Sequence, residues 1–317
     1  MNNPRILIIT YRGATDVERG FIAQLNEAGL RPELMVRDVQ TDVTKVPEIL
    51  KEAQAFRPDL IFTWGTSVTL AVTGTYDAPR RHALSSVPVV FALVSAPVGS
   101  KIVVSRSGQS RSITGAVHIV PTEIQMRTMR LYKDFDKVGL LYNTAESNSR
   151  IIASEVHRFA SANGLGVVER TVRMDANGRP VVDGIEDLVA QIAGEGAQWL
   201  YLPPDTFVGN ALHRVVPASL EHRLPTFGAA ERAVRRSGAL AGLISRYSSV
   251  GHLAGAKALE ILRDGRPASA VPITTLKRFS LIVNMQVAKA LGGFYPPIEM
   301  LNYAEVINVP VPGASRS

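Results

Sequence analysis

The chain contains no cysteine. That absence excludes a disulfide scaffold, thiolate zinc and iron–sulfur sites, and a cysteine nucleophile. No stretch approaches the ~18–20 apolar residues that a membrane-spanning helix requires. A signal-peptide pattern is missing as well, because Met1-Asn-Asn-Pro4 runs straight into a strand-like segment. On residues alone, either the protein is cytoplasmic or an export signal has been trimmed ahead of Met1. Long runs of like charge are also lacking. Lys and Arg total 35 against 28 Asp and Glu, a formal charge of +7 that raises the question of nucleic acid. Nucleic-acid proteins gather their basic residues on one face, often with aromatics interleaved. Here the basic groupings stop at the pairs Arg80-Arg81 and Arg235-Arg236, with a looser Arg106/Arg111 segment. The charge therefore reads as a solvated surface, with no nucleic-acid partner.

What is present is a chain able to bury sizeable cores: 46% hydrophobic and 20% charged residues over 317 positions, about two domains by length. The first third alternates short β-branched runs with helical periodicity. Strands are predicted over 5–10, 33–39, 59–63 and 88–94, with helices between them. Phe21, Leu25 and Ala28 mark the first helix, which Gly29 closes; a second covers 46–56 and a third 67–76. After a polar loop over 100–112 and a strand over 112–118, the rhythm begins again. Strands at 137–142, 167–173, 199–202, 225–228 and 240–244 alternate with helices at 149–162, 185–193 and 212–220, and a strong helix comes next at 250–265. This βαβ grammar predicts an α/β protein with two doubly wound parallel-sheet lobes. If the segments near 112–118 and 240–250 are crossings, several strands form a hinge between the lobes. The alternative is two independent domains in series.

In doubly wound sheets a ligand sits beyond the carboxyl ends of the strands. That rule selects Tyr11-Arg12-Gly13, Trp64-Gly65-Thr66-Ser67 and Val94-Ser95-Ala96 in the first unit. In the second it selects Asn143 through Glu146 to Ser149, then Pro204-Asp205-Thr206, then Ala229-Ala-Glu231. Gly65-Thr66-Ser67 ends a strand and opens a helix, so its N–H groups and hydroxyls suit an anion such as a carboxylate. An ordinary helix cap is the competing reading. Asp205 suits a cation, or again a helix cap, and Glu146 and Ser149 carry the same ambiguity. Tyr11, Trp64 and Phe207 are candidate pocket walls.

Enzyme motifs fail in turn. The six histidines include no pair at i,i+3 or i,i+4, so helical metal chelation is unsupported. Ser110 lacks the second glycine of a nucleophile elbow. Gly164-Leu-Gly166 follows a helix and precedes a strand, the reverse of a dinucleotide fingerprint, and no Walker loop is present. The reading is binding without catalysis, with no cofactor.

Three blocks resemble one family: Ser112-Ile-Thr-Gly-Ala-Val-His-Ile-Val-Pro-Thr-Glu123, Lys137-Val-Gly-Leu-Leu-Tyr-Asn143 with Glu146-Ser-Asn-Ser149, and Leu281-Ile-Val-Asn284 with Ala288-Lys-Ala-Leu-Gly292. The family is the substrate-binding proteins of ABC transporters, in the branch of tryptophan- and tyrosine-type amino-acid binders. The resemblance covers about residues 5–292. It implies a type I periplasmic-binding-protein fold, a monomer in the periplasm, a small carboxylate ligand captured by hinge closure, and delivery to a membrane permease. Residues 1–117 with about 248–278 would form one lobe, and 118–247 with about 279–317 the other, the ligand cleft lying between them. Gly65, Thr66 and Ser67 match the family's carboxylate loop, Asn143, Glu146 and Ser149 its second-lobe block, and Asp205 the acid that faces an α-amino group. Ser95-Ala96-Pro97 stands where the family has Thr-Asp-Pro, and Asp205-Thr-Phe-Val208 where it has Asp-Asn-Thr-Val. The segment from Phe294 to Tyr303 is expected to run past the family's usual end. These departures leave open an aromatic or branched carboxylate lacking an amine. A ligand-sensing regulator of the same fold and a doubly wound enzyme are the alternatives.

Overall fold

The computed structural model describes residues 3–107 and 111–310. Met1 and Ser110 lie outside them. In chain order come β1 (Arg5–Thr10), α1 (Asp16–Glu27), β2 (Glu33–Asp38), α2 (Val46–Phe56), β3 (Leu60–Trp64), α3 (Gly65–Thr73), β4 (Val89–Ala92) and β5 (Ile113–Val117). Next are α4 (Thr122–Tyr132), β6 (Lys137–Tyr142), α5 (Ser147–Ala162), β7 (Gly166–Thr171), the small hairpin β8 (Arg173–Met174) and β9 (Pro180–Val181), α6 (Ile185–Gly194), β10 (Trp199–Leu202), α7 (Thr206–Glu221), β11 (Thr226–Gly228), α8 (Glu231–Arg235) and β12 (Ala241–Ile244). The chain ends with α9 (Tyr247–Leu262), β13 (Thr274–Thr275), β14 (Ser280–Asn284), α10 (Met285–Ala290), α11 (Ile298–Leu301) and β15 (Ala304–Ile307).

These elements form two compact units. The first runs up to His118 and takes in Arg246–Lys277; the second takes Ile119–Ser245 and the chain from Arg278 onward. The chain thus passes between them three times. Unit 1 is built on a six-stranded parallel sheet of order β13-β5-β4-β3-β1-β2. Its central strands are apolar because both faces are covered. Leu7 and Ile9 enter one core cluster, while Ile6 and Ile8 enter another on the opposite face. α9 returns to unit 1 and lies on α1. The approach is close: a Cβ on Gly251 would fall 2.0 Å from the Val17 carbonyl oxygen, and one on Gly20 would fall 2.2 Å from that of Ser248.

Unit 2 carries a seven-stranded sheet of order β15-β14-β12-β11-β10-β6-β7. One pairing departs from the parallel pattern predicted, since β12 and β14 run antiparallel. The C-terminal segment leads into β15, which pairs in parallel with β14 and forms the edge of this sheet. The buried Asn284 side chain fastens the residues just beyond β15. Its amide donates to the Val309 carbonyl at 2.7 Å, and its oxygen accepts from Val309 N at 3.2 Å. Four helices begin earlier than predicted, α3 at Gly65, α5 at Ser147, α7 at Thr206 and α9 at Tyr247, and α9 stops at Leu262, short of Gly265.

In each sheet the strand order reverses once beside the first strand of the unit. β2 and β3 flank β1, and β7 and β10 flank β6. The crevice outside the carboxyl ends of such strands is where doubly wound sheets bind ligands.

Candidate functional site

In unit 1 the reversal lies between β1 and β3. β3 closes on Trp64, and Gly65 turns the chain into α3 at φ +79°, a left-handed value that glycine adopts without steric cost. Thr66 and Ser67 occupy the first turn of α3, and no side chain caps the helix there. Its leading N–H groups are therefore left for another acceptor, and the helix dipole favours an anion at this end. The neighbouring loop supplies an aromatic wall with a cation. Tyr11 stacks on Trp64 at 5.8 Å and 12° between planes, and the Arg12 guanidinium lies 5.0 Å from the Trp64 ring centre. Trp64 is held in place by its indole N–H, which donates to Thr15 Oγ1 at 3.3 Å. Thr15 in turn forms a capping box with Glu18, whose Oε2 accepts from both Thr15 N and Thr15 Oγ1 at 2.7 Å. Burial raises the Glu18 pKa. Ser95 is buried just beyond β4, two residues after Leu93, which is held at φ +58°. A bulky side chain in the left-handed region marks a constrained turn.

In unit 2 the reversal lies between β6 and β10, and two carboxylates organise it. Asp205 caps α7: its Oδ1 accepts from Val208 N at 2.8 Å, while Oδ2 accepts from Asn143 N at 2.7 Å across the crevice. Glu146 takes the two remaining amides of that turn, with Oε2 accepting from Thr206 N and Oε1 from Phe207 N, both at 3.0 Å. The Asn148 amide donates to the Pro204 carbonyl at 2.7 Å. The loops after β6 and β10 are thereby locked together. Asp205 is 4% exposed. Burial, with the Glu146 charge adding to it, pushes its pKa upward; the Asn143 and Val208 amides and the buried Ser149 hydroxyl oppose that shift.

The structure thus gathers Tyr11, Gly65, Thr66, Ser67 and Ser95 at the carboxyl edge of one sheet, and Asn143, Glu146, Ser149, Asp205 and Phe207 at that of the other. Phe207 is half-buried and packs against the core of unit 2. Glu231 begins α8 and is ion-paired to Arg235 at 2.8 Å; Arg235 also grips Glu305 of β15 through two hydrogen bonds at 2.7 and 2.6 Å. Sequence reasoning assigned no role to Arg12, Thr15 or Glu18. The Thr15-Asp-Val-Glu18 capping-box spacing was the available signal for the last two. Among the described residues no group of three or more His, Asp and Glu could hold a metal ion.

Residues 6–306 match the sequence model of the ABC transporter substrate binding protein family. The chain belongs to that family. A tyrosine-binding protein of Clostridioides difficile is 26% identical over 292 residues, covering 90% of this chain and 79% of that protein. Solved structures share the fold. A conserved domain protein from Vibrio cholerae superposes with a TM-score of 0.82 at 21% identity, covering 96% of this chain and 99% of that one. An ABC domain from Streptococcus pneumonia in complex with L-Trp gives 0.80 at 20% identity, covering 96% and 100%. The expected periplasmic-binding-protein fold is therefore the observed one, and the family is one of substrate-binding proteins, not of enzymes. One expectation is corrected. The family match extends to residue 306, so the segment from Phe294 to Tyr303 lies inside the family's extent and is no extension of it.

Proposed function

We propose that the protein is the extracytoplasmic solute receptor of an ABC importer, and that it captures an L-amino acid with a large side chain as a monomer. The observation that carries this reading is the complementary chemistry of the two strand reversals. One presents an uncapped helix start, hydroxyls and a cation beside an aromatic stack; the other presents two carboxylates. The ligand carboxylate would be met by the N–H groups and hydroxyls of Thr66 and Ser67, with Gly65 allowing close approach and Ser95 beside them. Its amino group would face the loop of Asn143, Glu146, Ser149 and Asp205. Its side chain would lie against Tyr11 and Trp64, and Phe207 would meet it from the second unit. Closure of the hinge on the ligand would shift a pre-existing equilibrium toward the form that a membrane permease accepts. Similarity to a tyrosine-binding protein and to an L-Trp complex supports the ligand class.

Calorimetry tests the reading. Tyrosine, tryptophan, phenylalanine and leucine are titrated beside 3-phenylpropanoate, which keeps the carboxylate and ring and lacks the amine. Saturable binding of at least one amino acid is expected, weakened about 10–100-fold by Ser67→Ala, the usual loss for one hydrogen bond to a charged group. Equal affinity for the amine-free acid would remove the amine-binding role of the unit 2 loop. Silence across all four amino acids would sink the ligand class.

A further inference from the structure

Unit 1 holds a second cavity, of about 550 Å³, at the opposite end of its sheet from the strand reversal. It opens where β4 and β5 begin and where α3 ends, and Val72, Leu84 and Val89 form part of its floor. The volume falls within the range of small-molecule pockets. Its charge is one-sided. Arg80, Arg81 and Arg111 line it, and no Asp or Glu does.

The three arginines have different standing. Arg111 is half-buried and donates to the carbonyls of Thr73, Gly74 (3.2 Å) and Ile102 (2.9 Å). Those oxygens satisfy its N–H groups without neutralising its charge. Burial lowers its pKa, and no carboxylate acts against that shift. Arg80 and Arg81 are exposed and make no ion pair among the described residues. The backbone that carries them is fixed: Gly74 bridges Pro79, and Arg80 N donates to the Thr73 carbonyl at 3.0 Å. A Cβ on Gly74 would meet the Ala78 oxygen at 2.5 Å, so the turn is closed as tightly as glycine permits. His82 also lines the cavity, with one ring nitrogen 3.0 Å from the Val72 carbonyl and the other accepting from Leu84 N at 3.3 Å.

A concave site with an apolar floor, a half-buried guanidinium that no carboxylate pairs, and two exposed guanidinium forks at its rim has a defined complement. We propose that it is a second binding site, for a soluble organic anion with an apolar body and a carboxylate, phosphate or sulfonate head. The site is independent of the amino-acid site proposed for the strand reversals, because it lies at the other edge of the sheet.

The probe is anilinonaphthalene sulfonate, compared with its uncharged relative phenylnaphthylamine by fluorescence titration. Saturable binding of the sulfonate with one-to-one stoichiometry is expected, with no binding of the neutral dye. In the Arg80→Ser/Arg81→Ser protein the sulfonate should bind at least ~tenfold more weakly, as loss of charge-assisted bonds implies. Its thermal melting should be unchanged, because neither side chain joins an ion pair. Unchanged sulfonate affinity in that variant would overturn the proposal, and so would equal binding of the two dyes. Sedimentation with phosphatidylglycerol vesicles separates the remaining source of such a head group. Vesicle binding that the double variant loses, with no binding of the free sulfonate, would make the head group a lipid's and overturn the soluble-ligand assignment.

Discussion

Asp205 and Glu146 are the residues whose roles the geometry changes most. Between them they accept from the first three amides of α7 and from Asn143 N, so both hold the loops of unit 2 in place before any ligand arrives. Truncating Asp205 removes a helix cap, worth about 0.5–2 kcal/mol, and leaves the Asn143 amide buried without an acceptor, a further ~1–3 kcal/mol. Asp205→Ala should therefore lower stability by about 2–4 kcal/mol in urea titrations, with Glu146→Gln closer to the wild type because an amide oxygen can still accept. A loss for Asp205→Ala below ~1 kcal/mol would mean that the cap contributes little. The competing readings of Asp205, as cap or as cation ligand, could not be separated by sequence. Both need an acid at the start of a helix after a strand, and only the distances show that its two oxygens already have partners.

Among the elements, α1 and α9 show what periodicity reveals and what it hides. The apolar spacing of Phe21, Leu25, Leu253 and Leu259 predicts both helices. Their contact is invisible in that pattern, because glycine makes it and α9 returns from a distant part of the chain. Gly251→Ala would drive a Cβ into the Val17 carbonyl, and overpacking of this kind costs typically about 1–3 kcal/mol and occasionally more. Gly209 in α7 is the contrast. It is helical, and a Cβ there would meet nothing within 4 Å. Gly209→Ala should stabilise by ~0.5–1 kcal/mol through the lost freedom of the unfolded chain. Thermal melts of the pair should move in opposite directions, and a stabilised Gly251→Ala protein would contradict the close packing. The same limit explains the missed elements. α4 carries its apolar face on Met126, Met129 and Tyr132 amid charged neighbours, and the antiparallel β14 is set by pairing with a strand some forty residues earlier. Short-range pattern reports neither.

At the scale of the whole molecule, His118 in unit 1 and Asp205 in unit 2 are buried titratable groups near a point where the chain passes to the other unit or meets a ligand loop, and the two respond to acid in opposite senses. His118 ends the first pass through unit 1. It is 6% exposed, its Nδ1 has no partner among the described residues, and its ring stands edge-on to Tyr247 at 6.5 Å. Burial pulls its pKa down to about 3. Unfolded, the imidazole takes a proton near pH ~6.5, while folded it resists until far lower. The stability it contributes is whole above about pH 6.5 and falls as pH drops through that value, by about 1.4 kcal/mol per unit. Asp205 has its pKa raised, so the folded chain holds that proton more readily than the unfolded one, and stability rises as pH falls toward the ordinary carboxylate range near ~4. Three chain passages tie the units together, so one cooperative transition is expected, in which the two slopes largely offset between about pH 4 and 6. His118→Leu should then expose the carboxylate slope, giving a protein that resists urea better at about pH 5 than at about pH 7. Urea midpoints across this window check the prediction, and a His118→Leu profile parallel to that of the wild type would show that the imidazole is protonated in the folded chain.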